Sequence, residues 1–190
     1  MIAAIVLAAG RSSRFGANKL LQPLDGKAIV RHAVEAVLAS KVEAVLVVTG
    51  NESELVKAAL ARLPVTFADN PDFSTGLSSS LICGVRCLPP SCKAALIALG
   101  DMPFVTPAAI NRLVDSFAHG RAICVPVCAG RRGNPVLWGR RFFAEMLALG
   151  GDKGAKQLMA LYSDLVYEVE VEDEAIHRDI DTPEDLSRHI

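Results

Sequence analysis

Residues 2–16 read IAAIVLAAGRSSRFG, nine uncharged residues followed by a loop that carries two arginines and closes on a glycine. The apolar run 2–9 is too short to span a bilayer and has no basic residue before it, which argues against a membrane helix or a signal peptide, and within it lies the continuous apolar stretch 2–7. It has the length of a strand, and a strand that is apolar at every position has both faces covered. Stretches 44–48 and 94–99 repeat the pattern, and the three are followed by Gly10, Gly50 and Gly100. Between them lie longer stretches with helical spacing: 29–39, where Ile29, Val30, Ala33, Val37 and Leu38 recur, then 53–63 and 79–88. Strands buried on both faces and alternating with helices predict a largely parallel sheet between two layers of helices.

Towards the C-terminus the alternation loosens. Strands are predicted at 64–67 and 123–127 and helices at 108–117 and 140–149, while 136–138 and 165–171 add strands of their own. The alternation in YEVEV, residues 167–171, marks a half-exposed strand near an edge of the sheet. The expected architecture is α/β: a three-layer α/β/α, Rossmann-like domain with a mostly parallel, mixed sheet, in one domain over residues 1–190. A chain of 190 residues buries about 70% of the surface its unfolded form exposes.

Hydrophobic residues make up 51% and charged residues 22%, with a net charge of -1. That balance offers neither nucleic acid nor a membrane a broad charged surface, so any anion site has to be local. A cytoplasmic location is the default expectation. The cysteines, Cys83, Cys87, Cys92, Cys124 and Cys128, form no CxxC pair and suit reduced, packed thiols. Cys83 and Cys87 are spaced to share a helix face, as metal ligands or, more simply, as core residues. His32, His119, His177 and His189 fall outside every motif and read as surface or capping residues.

In an open sheet of this kind ligands bind beyond the carboxyl ends of the strands. The loop after the first strand, Gly10 to Gly16, holds Arg11 and Arg14, with Lys19 three residues further on. Glycines let backbone N–H groups turn around phosphate oxygens, and three cations neutralise most of a triphosphate. The spacing matches neither a Walker A loop nor GxGxxG. Taken alone, the loop reads equally as a solvated turn with its arginines in water. Asp101, in ALIALGDMPFV, ends a buried strand at the same edge, where a carboxylate binds a magnesium ion that phosphates and water also ligate. A cap for the helix opened by Pro107 is the alternative. In DIDTPEDL the residues Thr182, Pro183 and Asp185 read as an N-cap, first-turn proline and capping partner. That leaves Asp179 and Asp181 on one side of an extended segment.

LAAGRSSRFGANKLL, residues 7–21, resembles the LAAGxSxRMGxxKxL signature of MobA-like nucleotidyltransferases and, within them, of molybdenum cofactor cytidylyltransferases. Phe15 stands where methionine is usual. Five further segments continue the likeness in order: GLSSSL, GDMPFV, RRGNPVL, GDKGA and DIDTPEDL. The resemblance implies a fold of the nucleotide-diphospho-sugar transferase type and transfer of CMP from CTP to molybdenum-loaded molybdopterin, with Mg2+ as the cofactor. A molybdenum hydroxylase apoenzyme is then the candidate recipient of the product. The resemblance assigns nucleotide binding to Leu7, Ala8, Ala9, Gly10, Arg11, Lys19, Gly76, Ser78 and Ser79, and catalysis to Lys19, Arg14 and Asp101. It gives metal binding to Asp101 and Asp181 and acceptor contacts to Asn134, Gly151 and Asp152, while Asp179 reads as structural or as a support behind the metal ligands. Ala8 and Ala9 stand where the related guanylyltransferases commonly show LAGG, which points to CTP over GTP, and a methyl at Ala9 is expected to narrow the base pocket against a purine. Asn134 replaces the family's common histidine, so no imidazole role carries over. Without the resemblance, GGDKGA reads as a helix C-cap followed by an Asp152 N-cap, one serine of GLSSSL as a cap, and Arg131 and Arg132 as solvent-facing hairpin residues. A nucleotidyltransferase for another phosphorylated acceptor and a noncatalytic carrier of the molybdenum cofactor remain the competing readings.

Overall fold

The computed structural model describes residues 1–10, 15–151 and 154–188. Arg11 and Arg14, Asp152 and His189 therefore lie outside the described residues. The strands are β1 (Ile2–Ala8), β2 (Pro23–Leu24), β3 (Lys27–Ala28), β4 (Ala44–Thr49), β5 (Thr66–Asp69), β6 (Ala94–Leu99), β7 (Ile123–Cys128), β8 (Arg131–Arg132), β9 (Val136–Gly139) and β10 (Val166–Glu170). The helices are α1 (Ile29–Leu38), α2 (Ser53–Ala59), α3 (Leu77–Arg86), α4 (Pro107–Ala118), α5 (Phe143–Leu147), α6 (Lys156–Leu161) and α7 (Pro183–Ser187).

The main sheet runs β10-β7-β9-β6-β1-β4-β5, with β8 paired to β7. β1 pairs in parallel with β4 and β6, β4 with β5, and β10 with β7, while β9 is antiparallel to both β6 and β7. The sheet is thus mixed and mostly parallel, as expected. β10 lies at an edge, and of its five residues only Val169 is fully buried.

The two-residue period of a strand divides the core between the two faces of the sheet. From β1, Ala4, Val6 and Ala8 join Val30, Val34 and Val37 of α1, Val56 of α2 and Leu113 of α4. Ala3, Ile5 and Leu7 join Leu81 and Val85 of α3, Met146 of α5 and Leu158 of α6. Three layers follow, which is why β1 has no polar position. On the second face α3 is drawn close to the sheet at Gly84, where an added Cβ would come within 2.6 Å of Ile5 Cγ2. The helix therefore tolerates a residue that weakens it by roughly 1 kcal/mol relative to alanine. Cys83 and Cys87 lie on the flank of α3, half-buried and exposed respectively, so core packing does not describe Cys87; Cys92, Cys124 and Cys128 are buried.

A smaller core, Leu24, Ile29, Ile180 and Leu186, with Phe15 and Phe104 packed against it, anchors the C-terminal segment beside the start of α1. Phe15, in the place of the usual methionine, serves there as an apolar packing residue. α7 begins with a complete capping box: Thr182 Oγ1 accepts from the Asp185 N–H, and Asp185 accepts from the Thr182 N–H. His32, His119 and His177 each bond a backbone carbonyl, of Leu24, Asp115 and Arg131. The reading of Asp152 as an N-cap is corrected for the helix that follows: α6 starts at Lys156 with Ala155 as its N-cap and no side-chain bond there. Among the described residues no helix is long and apolar enough to cross a membrane.

Candidate active site

Lys19 opens a 3-10 turn, Lys19–Leu21, whose cap is Asn18; Asn18 Oδ1 accepts from the Leu20 N–H at 3.1 Å. Leu20 is 4% exposed and plugs the turn into the core beside α1. The turn is thereby fixed at the carboxyl edge of the sheet, and the Lys19 side chain points to the end of β6. Lys19 Nζ donates to Asp101 Oδ2 at 2.6 Å and to Asp181 Oδ1 at 2.6 Å. Three residues separated by up to 162 positions meet at one ammonium.

Each carboxylate is held from behind. The Asp101 carbonyl accepts from the Ile180 N–H at 3.0 Å, which ties the end of β6 to the segment carrying Asp181. Ile180 is 1% exposed, and the Asp181 N–H donates to Asp185 of the capping box at 3.2 Å. Asp101 does not cap the helix opened by Pro107; Thr106 does, accepting from the Ala109 N–H. Asp101 Oδ1 is buried and has no partner among the described residues.

Burial alone would favour the neutral amine of Lys19, but the charge of Asp101 and the hydrogen bonds that the ammonium donates to both aspartates outweigh it and raise the pKa above the usual lysine value. Burial pushes the Asp101 carboxyl up, Lys19 opposes this, and the negative charges of Asp179 and Asp181 add to it. No group of three or more His, Cys, Asp and Glu suited to a metal occurs among the described residues. Two carboxylates with one buried oxygen unpartnered nonetheless fit an ion such as magnesium, which takes one or two protein carboxylates and completes its shell with phosphate oxygens and water.

Beside this triad opens a cleft of about 830 Å³. Its floor is apolar, with Leu7 of β1, Ile97 and Leu99 of β6 and Trp138 of β9; its polar lining is Arg132, Asn134, Lys156, Gln157 and Asp179. Asn134 reaches it because Gly133 allows close passage of the chain: a Cβ on Gly133 would lie 2.4 Å from the Ile176 carbonyl, to which the Asn134 N–H donates at 2.9 Å. Arg131 and Arg132 are both exposed hairpin residues, and Arg132 also pairs with Glu168 at 2.7 Å and lines the cleft.

GLSSSL and GDKGA meet at the far side, where the Ser78 N–H donates to the Gly151 carbonyl at 3.2 Å. Gly76 is the N-cap of α3, and Ser78 Oγ is buried without a partner among the described residues. Ser79 is engaged locally: its hydroxyl bonds the carbonyls of Gly76 and Asp72 and accepts from Asn70. Asn70, 4% exposed, also donates to Ser80 Oγ and so ties the end of β5 to the first turn of α3. Sequence reasoning passed over Asn70, although it lies in ADNPDFSTG, one of the polar segments after a strand. Of the first-loop residues, Leu7 lines the cleft, Ala8 and Ala9 are buried and Gly10 is exposed. The Ala9 methyl faces Gly50: a Cβ built there would be 2.9 Å from it.

The MobA-like NTP transferase domain matches residues 4–168. The chain belongs to this family. Membership gives it its activity class, nucleotidyl transfer, and the architecture is that of the nucleotide-diphospho-sugar transferases. Among its relatives is the Escherichia coli molybdenum cofactor cytidylyltransferase, 28% identical over 96% of this chain and 92% of that protein. Nicotine blue oxidoreductase of Paenarthrobacter nicotinovorans is also 28% identical, over 98% and 95%. A Mycobacterium tuberculosis protein crystallised as a complex with manganese superposes with a TM-score of 0.85, at 28% identity over 99% of this chain and 97% of that one. Equal identity to a transferase and to a protein named as an oxidoreductase means that the particular reaction has to be argued from residues.

Proposed function

We propose that this MobA-like chain transfers CMP from CTP to molybdenum-loaded molybdopterin, releasing pyrophosphate and forming molybdopterin cytosine dinucleotide. The observation that carries the reading is the junction of Lys19, Asp101 and Asp181 at the edge of the cleft lined by Asn134. The cleft of about 830 Å³ has room for a bulky acceptor.

In this reading an acceptor phosphate oxygen bonds to the α-phosphorus of CTP as the bond to the β-phosphate oxygen breaks, and pyrophosphate leaves. A phosphate monoester has its second pKa at about 6 and arrives ionised, so the chain needs no strong base, in keeping with the bonds of His32, His119 and His177 to backbone carbonyls. Its work is positioning and charge neutralisation. Leu7, Ala8, Ala9, Gly10 and Arg11 bind the nucleotide, with Gly76, Ser78 and Ser79 at the start of α3. Arg14 and Lys19 balance charge on the phosphates. Asp101 and Asp181 would hold Mg2+, which when bound would supply Lewis acidity at the phosphates. Asn134, with its amide in the cleft, and Gly151 and Asp152 contact the acceptor. The site would work in the cytoplasm, passing its product to a molybdenum hydroxylase apoenzyme.

The test follows pyrophosphate with CTP, GTP or ATP, each with and without molybdenum-loaded molybdopterin. Release with CTP only when the acceptor is present is expected. Release with GTP, or with another phosphorylated acceptor alone, replaces the substrate assignment; no release under any condition favours a carrier or a redox activity.

A further inference from the structure

The Lys19 ammonium lies 2.6 Å from an oxygen of each of the two carboxylates proposed as metal ligands. Both contacts have the length of charge-assisted hydrogen bonds. The lysine side chain is 13% exposed and that of Asp101 is 20% exposed, so water screens this cation weakly. A lysine that only awaited phosphates would extend into solvent; this one joins two anions whose mutual repulsion would otherwise oppose their meeting.

We propose that Lys19 occupies the divalent-cation seat of the site, so that ammonium and metal compete for Asp101 and Asp181. The inference rests on the assignment of those two aspartates as metal ligands. A metal arriving alone has to displace the ammonium from both carboxylates, which is costly. A metal arriving with a nucleotide brings the remedy, because phosphate oxygens accept the ammonium as the carboxylates turn to the metal. Metal and nucleotide therefore bind with positive, reciprocal coupling, and Lys19 is its source.

The consequence runs against the usual effect of removing an active-site residue. Substitution of Lys19 by methionine keeps the aliphatic stem, deletes the competing charge and leaves two carboxylates facing each other. Mn2+ serves as the probe, its binding to the nucleotide-free protein followed by electron paramagnetic resonance at pH 8. K19M is expected to bind Mn2+ at least tenfold more tightly than wild type, with K19Q as a second variant should K19M not fold. CTP is expected to tighten Mn2+ binding in wild type and to do so far less in the variant. Equal or weaker Mn2+ binding by folded K19M and K19Q overturns the proposal. D101N separates the two levels: if it leaves Mn2+ binding unchanged in wild type and in K19M, the metal site itself is wrongly assigned, whereas its loss of binding beside an unimproved K19M rejects only the competition.

Discussion

At the scale of single residues, Asp101 has the most demanding position, with one oxygen on Lys19 and the other buried without a partner among the described residues. Asp101→Ala is expected to abolish pyrophosphate release while circular dichroism and the thermal midpoint show a folded protein; near-normal turnover would remove Asp101 from the mechanism. Lys19 gives a pH signature. Its folded pKa lies above the usual 10.5, so its stabilising contribution is complete below that pH and is lost as pH rises through the folded value. The stability difference between wild type and K19M is accordingly expected to stay level from pH 8 to 10 and to shrink above, read from denaturant midpoints. Ala9 is buried, its methyl against Gly50 at the ends of two adjacent parallel strands. Ala9→Gly should raise kcat/KM for GTP relative to CTP, and an unchanged ratio would reject the steric account of base choice.

At the scale of elements, the capping box of α7 also positions the site, since Asp185 accepts from the N–H groups of both Thr182 and Asp181. Asp185→Ala is expected to cost about 1 kcal/mol, as loss of a cap does, and to weaken Mn2+ binding by loosening Asp181. A stability loss with unaltered metal binding would show that Ile180 alone holds the segment. This cap was legible in TPED, because it is built from residues within one turn. The same holds for β1, β4 and β6, whose continuous apolar runs follow from burial on both faces. Elements held by distant partners were less legible. β2 and β3 have two residues each and carry no period. α6, six residues long, has no side-chain cap, so the GGDKGA segment before it pointed to a start at Asp152. α2 ends at Ala59, short of the expected Leu63, where Arg62 takes a positive φ of 68°.

At the scale of the whole molecule, the sheet order places β1, β6 and β9 side by side, and that adjacency makes the cleft. Sequence motifs named the triad because Lys19 and Asp101 come after strands at the ligand edge, while Asp181 was singled out by its place before TPED and by the family resemblance. They did not name Trp138, Lys156, Gln157 or Asn70, whose relation to the site depends on strand order and on how α3 and α6 pack, information that no local pattern contains. The two-faced core makes a further demand: Gly84→Val would drive α3 off Ile5 and is expected to destabilise the protein by about 1–3 kcal/mol, the usual cost of overpacking, as a lowered denaturant midpoint. In the proposed reaction the nucleotidyl group of CTP goes to the acceptor phosphate. CTP labelled at its α-phosphorus, incubated with the protein, Mg2+ and molybdenum-loaded molybdopterin, should yield the label in a pterin-containing dinucleotide in equal amount to the pyrophosphate released. Label that stays in CTP, or appears only as free CMP, would contradict it.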